Sequence, residues 1–441
     1  MNLLNIIRGF DADLYGYFEK ELERQYYSLS FIPDENSISP LCSATMGNVL
    51  VNSEHHVLAY AKGDLEKLAA KRICSLFSGE YANVKNISIE DASRVVFQAL
   101  LQRGDVVMSL DLRKQEHCNS ENLAYRFINF GVDPVTQQLD MDAVEKQIRE
   151  NKPKMVILSP VNYPMIIDYE RFGKICRDID AILWCDISQV AGLVTAKDMP
   201  SPLPYADVVT FTAHGALQGP RCSVIVCREK YGDAIDRSAF RAGHSGLGSA
   251  ELAALAVRLQ EMQSQEYTNY CNTVIDNAKR LAEGLKEGGA TLVTGGTSTH
   301  LVVVDSSKCA LSGQGAIDSL QDCGITCRDC QMLSANPSVR FPALRFSTLP
   351  TTTRGITGDN MYHIGVALGK YLTNPNPENA AELKQIVRAT SVKMPFFSDK
   401  WLSPLVKENL LQQTKFKSDS ASEMSMGSRF SLLLRHLQSE S

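Results

Sequence analysis

The sequence predicts an α/β fold, a large domain on a mainly parallel sheet followed by a smaller α+β domain, and three observations carry that expectation. Between about residues 65 and 260, helical patterns alternate with short apolar runs, the signature of strands joined by crossover helices. A long helical stretch from about 248 to 288 then interrupts the alternation. Beyond it the elements thin out, as a smaller and less regular unit would have them.

Taken in order, residues 11 to 30 form a helix, because Leu14, Phe18, Leu22 and Tyr26 recur at helical spacing among Asp11, Asp13, Glu19 and Glu21. The strands of the large domain are Val106–Leu110, Met155–Leu158, Ala181–Cys185, Val208–Phe211 and Ser223–Cys227. A sheet of this kind binds ligands beyond the carboxyl ends of its strands. The second unit holds strands at Leu301–Asp305, Gly324–Cys327 and Ala343–Ser347 and a helix near 358 to 373. The boundaries are a helical arm over 1–30, a large domain over 31–260, a small domain over 270–410 and a flexible serine-rich tail over 411–441. Within that tail Phe430-Ser-Leu-Leu-Leu-Arg-His-Leu is a short apolar patch. No repeat of 20 to 50 residues is visible.

Several function classes are disfavoured by composition. With 441 residues, a net charge of −5 and scattered cations, the chain lacks the basic stripe that nucleic acid requires. No run reaches the ~18 to 20 apolar residues of a membrane span. The first residues turn acidic within a dozen positions and lack a secretory leader's apolar core, so a cytoplasmic location is expected. A mitochondrial address stays open, since Leu3 to Phe10 is amphipathic and carries one arginine. Twelve cysteines, several inside apolar runs, read as reduced, buried thiols. Cys323, Cys327 and Cys330 have the spacing of a cluster ligand set, but strand alternation places Cys330 opposite the other two, so no metal is expected.

Function enters through a series of collinear segments. They are Phe31-Ile-Pro-Asp-Glu-Asn, Lys152-Pro-Lys-Met-Val-Ile, Cys185-Asp-Ile-Ser-Gln-Val-Ala-Gly-Leu-Val and Ser201-Pro-Leu-Pro-Tyr-Ala-Asp. After them come Val208-Val-Thr-Phe-Thr-Ala-His-Gly-Ala-Leu-Gln-Gly-Pro-Arg, Val293-Thr-Gly-Gly-Thr-Ser-Thr-His-Leu and Leu344-Arg-Phe-Ser-Thr-Leu-Pro-Thr-Thr-Thr-Arg-Gly. In order and spacing these resemble the serine hydroxymethyltransferase family from about residue 12 to 373. The resemblance implies a fold-type I pyridoxal-phosphate architecture, aspartate aminotransferase-like, and a site built between subunits of a homodimer or tetramer.

The same resemblance shows what is missing. The family's Schiff-base lysine, in Thr-His-Lys-Thr-Leu-Arg-Gly-Pro-Arg, corresponds to Gly215 in Ala213-His-Gly-Ala-Leu-Gln-Gly-Pro-Arg, which offers no amine. The phosphate loop Ser-Gly-Ser corresponds to Ser88-Ile89-Glu90, followed by Asp91. A carboxylate 4 Å from a phosphate costs ~4 kcal/mol at an effective dielectric near 20. The tyrosine- and glutamate-bearing loop is shortened by about eight residues, so that Glu54 and Tyr60 match no family position. Gln189 replaces a histidine, and Arg328-Asp329-Cys330 replaces the segment tied to folate.

Other parts persist. The resemblance assigns Asp186 to the pyridine nitrogen, His117 to stacking on the ring and Arg345 to the substrate carboxylate, with Arg221 also kept. Glu35 and His214 remain as catalytic residues without their lysine. The expectation is a catalytically inactive homologue that binds pyridoxal phosphate non-covalently if at all. It would act as a structural or regulatory subunit of serine and glycine one-carbon metabolism, as a homodimer or with an active relative. The alternatives are a serine hydroxymethyltransferase working with tetrahydrofolate and a module that holds a carboxylate through Arg345.

Overall fold

The computed structural model describes residues 3–52, 59–110, 125–197, 199–241, 246–334 and 339–408. The large sheet has seven strands: β2 (Tyr81–Asn86), β3 (Val106–Leu110), β4 (Arg126–Phe130), β5 (Met155–Leu158), β6 (Ile182–Asp186), β7 (Val208–Thr212) and β8 (Ser223–Cys227). Their spatial order is β2-β8-β7-β6-β5-β3-β4. All neighbours from β7 to β4 are parallel, and β8 runs antiparallel to both β7 and β2.

Alternation along the central strands assigns their side chains to two cores. Ile182 and Trp184 of β6 pack with α5 (Ile89–Leu100) and α9 (Glu229–Arg241) on one face. Leu183 and Cys185 pack on the other, where α4 (Ala59–Phe77), α7 (Tyr169–Asp178) and α10 (Ser249–Glu261) lie. With both faces covered, the strands read as continuous apolar runs.

The helical stretch read from 248 to 288 is two helices, α10 and α11 (Gln265–Glu287), separated by a break at residues 262–264. The first half of α11 supplies Tyr267, Tyr270 and Val274 to the large core; the second supplies Ala278, Leu281 and Leu285 to the small one. Its partner there is α14 (Asp359–Thr373). A Cβ at Gly284, Gly288, Gly365 or Gly369 would strike backbone of the opposite helix, so glycine permits the close crossing. The small domain also has an antiparallel sheet, β11 (Arg328–Leu333), β12 (Arg340–Ser347) and β9 (Leu301–Asp305), with β12 in the centre.

The N-terminal helix α2 (Ala12–Tyr27) starts with Asp11, whose carboxylate accepts from the Leu14 N–H at 2.9 Å. It ends at Tyr27 rather than at 30, because Leu29–Ser30 forms a short strand parallel to Ile325–Thr326. Leu29 and Phe31 accordingly lie in the small domain's core.

Arg354 fixes this junction. Its guanidinium is buried and donates to the carbonyls of Ser28 at 2.7 Å, Gln25 at 3.0 Å, Ser391 at 2.8 Å and Pro395 at 3.2 Å. These carbonyls lie at the ends of α2 and α15 (Pro377–Ser391), where helix dipoles favour a cation. Burial lowers its pKa to about 10, so the group remains charged at neutral pH. Replacing Arg354 by Met should lower unfolding stability by about 3 kcal/mol, since several buried carbonyls lose their donor. Urea denaturation checks this, and a loss under about 0.5 kcal/mol would show that the clamp is dispensable.

Candidate functional site

The candidate site lies at the carboxyl ends of β5, β6 and β7. Asp186 ends β6 and is buried, with Oδ1 accepting from the Ser188 N–H at 2.8 Å and the Ser188 hydroxyl at 2.6 Å. The Ser188 hydroxyl also accepts from the Thr212 N–H at 3.2 Å, so the ends of β6 and β7 are tied together. Gln189 Nε2 donates to Asp34 Oδ1 at 2.7 Å, which brings the 31–36 segment to the same edge.

After β7 the chain makes a tight turn. Gly215 has φ +64° and Gln218 has φ +58°. A Cβ on Gly215 would meet only the Asp34 and Pro33 carbonyls, at 3.8 and 4.0 Å, so the obstacle to a side chain is backbone conformation rather than space. The turn is held from every side. Asn36 Nδ2 donates to the Gly215 carbonyl at 3.0 Å, Tyr267 Oη to the Ala216 carbonyl at 3.3 Å, and the Ser39 N–H to the Gln218 carbonyl at 3.0 Å. Arg258, fully buried, donates through Nε to the Leu217 carbonyl and through Nη2 to Gln218 Oε1 at 2.6 Å. Its Nη1 lies 3.1 Å from Glu261, and its guanidinium carbon stands 4.7 Å from the centre of the Tyr267 ring. At Gly192 a Cβ would clash with the Ala216 carbonyl and the Tyr267 hydroxyl, so the turn also seats directly on α8 (Ala191–Thr195).

From the small domain, β12 brings Arg345 over the end of β5. Its Nη1 donates to the Val161 carbonyl at 3.2 Å. Its Nε is buried and has no hydrogen-bond partner among the described residues, which leaves donor capacity for an anion. Close by, His300 is completely buried, with Nδ1 2.9 Å from the Ser347 hydroxyl. Burial drives its pKa down to about 4, with Arg345 pushing the same way and Asp34 opposing, so the imidazole is neutral.

His214, before the turn, also titrates below the usual histidine range, first because it is buried and then because of Arg221. Asp34 and Glu90 pull in the opposite direction, which places Glu90, in the first turn of α5, on the same side of the site. Ser88 caps that helix by accepting from the Asp91 N–H at 3.2 Å. Asp91 is buried, 3.5 Å from Arg94. Glu35 faces away, its Oε2 accepting from the Ser30 hydroxyl at 3.0 Å.

The structure therefore brings Asp186, His214, Gly215, Arg221 and Arg345 to one region, with Gln189 and Glu90 at its rim. His117, Glu54 and the apolar patch at 430–437 lie outside the described residues. Asn36, Arg258 and His300 were not singled out from the sequence. An arginine inside the apolar run Leu252–Leu259 is the signal that would have marked Arg258, because such a charge must find acceptors. Cys323 and Cys327 sit in the small domain's core and Cys330 in a separate cluster, and burial pushes the Cys327 thiol up to about 12.

With this geometry in hand, the family model described as serine hydroxymethyltransferase matches residues 7–368.

Buried His300 sets a pH dependence. Its folded pKa, about 4, lies below the unfolded value near 6.5, so the neutral form stabilises the fold above pH 6.5. That stability is lost as pH falls from about 6.5 towards 4, by as much as roughly 3 kcal/mol. Denaturation of wild type and His300→Gln at pH 7 and pH 4.5 checks this: the variant should lose less on acidification. Parallel losses in the two proteins would remove His300 as the cause.

Proposed function

We propose that this chain, which belongs to the serine hydroxymethyltransferase family, is a non-catalytic member acting as a structural or regulatory subunit in serine and glycine one-carbon metabolism. The observation that carries the reading is Gly215. Where relatives place an amine, this chain has a left-handed glycine in a fully braced turn. The residues present do not fit pyridoxal phosphate. No lysine follows His214, and Glu90 stands in the first turn of α5, where the resemblance locates the phosphate. Asp186 is retained, but a carboxylate for the ring nitrogen does not offset repulsion at the phosphate.

An open apolar stripe supports the subunit role. Helix α2 has no buried residue, and Leu14, Tyr17 and Phe18 are exposed along it, with Phe10 just before. A stripe of this size left open on one chain fits burial against a second chain, either a copy or an active relative.

Two measurements test the proposal. Purified protein should convert no serine to glycine with tetrahydrofolate, and borohydride should fix no added pyridoxal phosphate at the site. Folate-dependent glycine formation above a no-protein control would overturn the reading. Gly215→Lys alone should restore neither, because the new side chain inherits φ +64°, at roughly 1 to 2 kcal/mol, and Glu90 remains. For association, light scattering at micromolar concentration should give a dimer, and Leu14→Asp with Phe18→Asp should give monomer. A wild-type monomer that also fails to co-purify with an active relative would remove the subunit role.

A further inference from the structure

At the other end of the large sheet from Asp186, a cleft of about 440 Å³ opens over Ala181 and Ile182, at the start of β6. Ala99 and Leu100 from the end of α5 form one wall, and Tyr231 and Ala234 of α9 the other. Three cations line the cleft, Lys154, Arg177 and Lys230, against two acids, Asp180 and Asp207.

The acids do not neutralise it. Asp207 Oδ2 accepts from the Leu183 N–H at 3.1 Å, and its Oδ1 stands 3.6 Å from Lys230. Neither Lys154 nor Arg177 has a carboxylate within ion-pair distance among the described residues. An adjoining depression of about 430 Å³, sharing Ala99 and Ala234, adds Arg237 and Arg241. Five cations against two acids leave a surplus of three, in a chain whose net charge is −5. Arg228, at a third depression that shares Arg177 and Lys230, is matched by Glu80 at 2.8 Å and changes nothing in this balance.

We propose that this cleft is a second ligand site, taking a small molecule that carries two or more phosphate groups. Its volume lies in the range of small-molecule sites, about 300 to 1,000 Å³. One carboxylate would satisfy one cation, whereas linked phosphates present acceptors to several at once, and arginine meets them bidentately. The apolar walls lower the local dielectric and strengthen each contact. The site stands apart from Gly215, so it is independent of whether the chain is catalytic.

Isothermal titration of the full chain with tripolyphosphate, ATP and adenosine, at one fixed ionic strength, tests the proposal. Both polyphosphates should bind and adenosine should not. Lys154→Glu with Arg177→Glu should weaken both by at least about tenfold without moving the thermal midpoint, since both side chains are exposed. If that pair fails to fold, Lys154→Gln with Arg177→Gln should weaken binding in the same direction. ATP binding tighter than tripolyphosphate, with the excess lost in Tyr231→Ala, identifies a nucleotide; equal affinity identifies the phosphates alone. No binding at millimolar concentration overturns the site, as does binding that the double variant leaves intact. Binding lost instead on Arg221→Ala or Arg345→Ala would place the anion at the carboxyl ends of the strands and also overturn it.

Discussion

The arrangement of the candidate site depends on one buried charge, the guanidinium of Arg258. Removing a guanidinium from water costs several kcal/mol, which only well-placed acceptors offset. Here they are the Leu217 carbonyl, the Gln218 side chain and Glu261, with the Tyr267 ring alongside. Glu261 in turn accepts from the Ser39 hydroxyl at 2.6 Å, and the Ser39 N–H holds the Gln218 carbonyl. A closed circuit thus joins α10, Ser39 at the start of the Pro40–Met46 helix, and the turn that bears Gly215. None of these groups belongs to the side chain of residue 215. The turn keeps its shape through packing and hydrogen bonds alone, which is why a residue with no functional group can occupy its apex without loosening the fold.

Charge around that apex divides by element. Arg345 and neutral His300 come from the small domain, whereas Asp34 and Glu90 come from the 31–36 segment and the start of α5. Among the described residues an anion is favoured beside Arg345, whose Nε has no partner, and Arg221 adds positive charge near His214. Towards Glu90, the positive end of the α5 dipole is already met by Glu90 and Asp91 and by the Ser88 cap. The usual anion affinity of a helix N-terminus is therefore answered from within the chain.

Much of the fold was legible because strands buried on both faces are apolar throughout: Met155–Leu158 and Val208–Thr212 announce themselves. Strand β2 does not, since Asn83 and Asn86 are buried for hydrogen bonds rather than apolar contact, with Asn83 Nδ2 donating to Asp236 at 2.7 Å. Strand β4 sits at a sheet edge with Arg126 and Asn129 exposed and Phe130 alone fully buried, and its pattern is correspondingly weak. At the site, Asp186, Gly215 and Arg345 were legible through motif order. Arg354 was visible only as one letter of such a motif. Its role rests on carbonyls contributed from residues 25 to 28 and 391 to 395, and no local pattern encodes a contact across more than 300 positions.

The arm is held to the rest of the chain at one end. Helix α2 has no buried residue, and its attachment lies at one end, through the Leu29–Ser30 strand and the Arg354 carbonyl clamp. Of its apolar stripe, Leu22 and Tyr26 are half-buried, with the Tyr26 hydroxyl donating to the Val392 carbonyl at 3.3 Å, whereas Leu14 and Phe18 stay open; burying one such side chain is worth about 1.5 to 3 kcal/mol. A helix of 16 residues anchored at one end is near the limit of marginal stability for a helix alone in water. Capping by Asp11 and the Glu21–Arg24 pair adds no more than about 1 to 2 kcal/mol. A second surface over Leu14 and Phe18, as proposed above, would improve that balance. The clamp at Arg354 has a mechanical sense, because it ties the end of the arm to the end of α15 and so sets the angle at which the arm leaves the small domain.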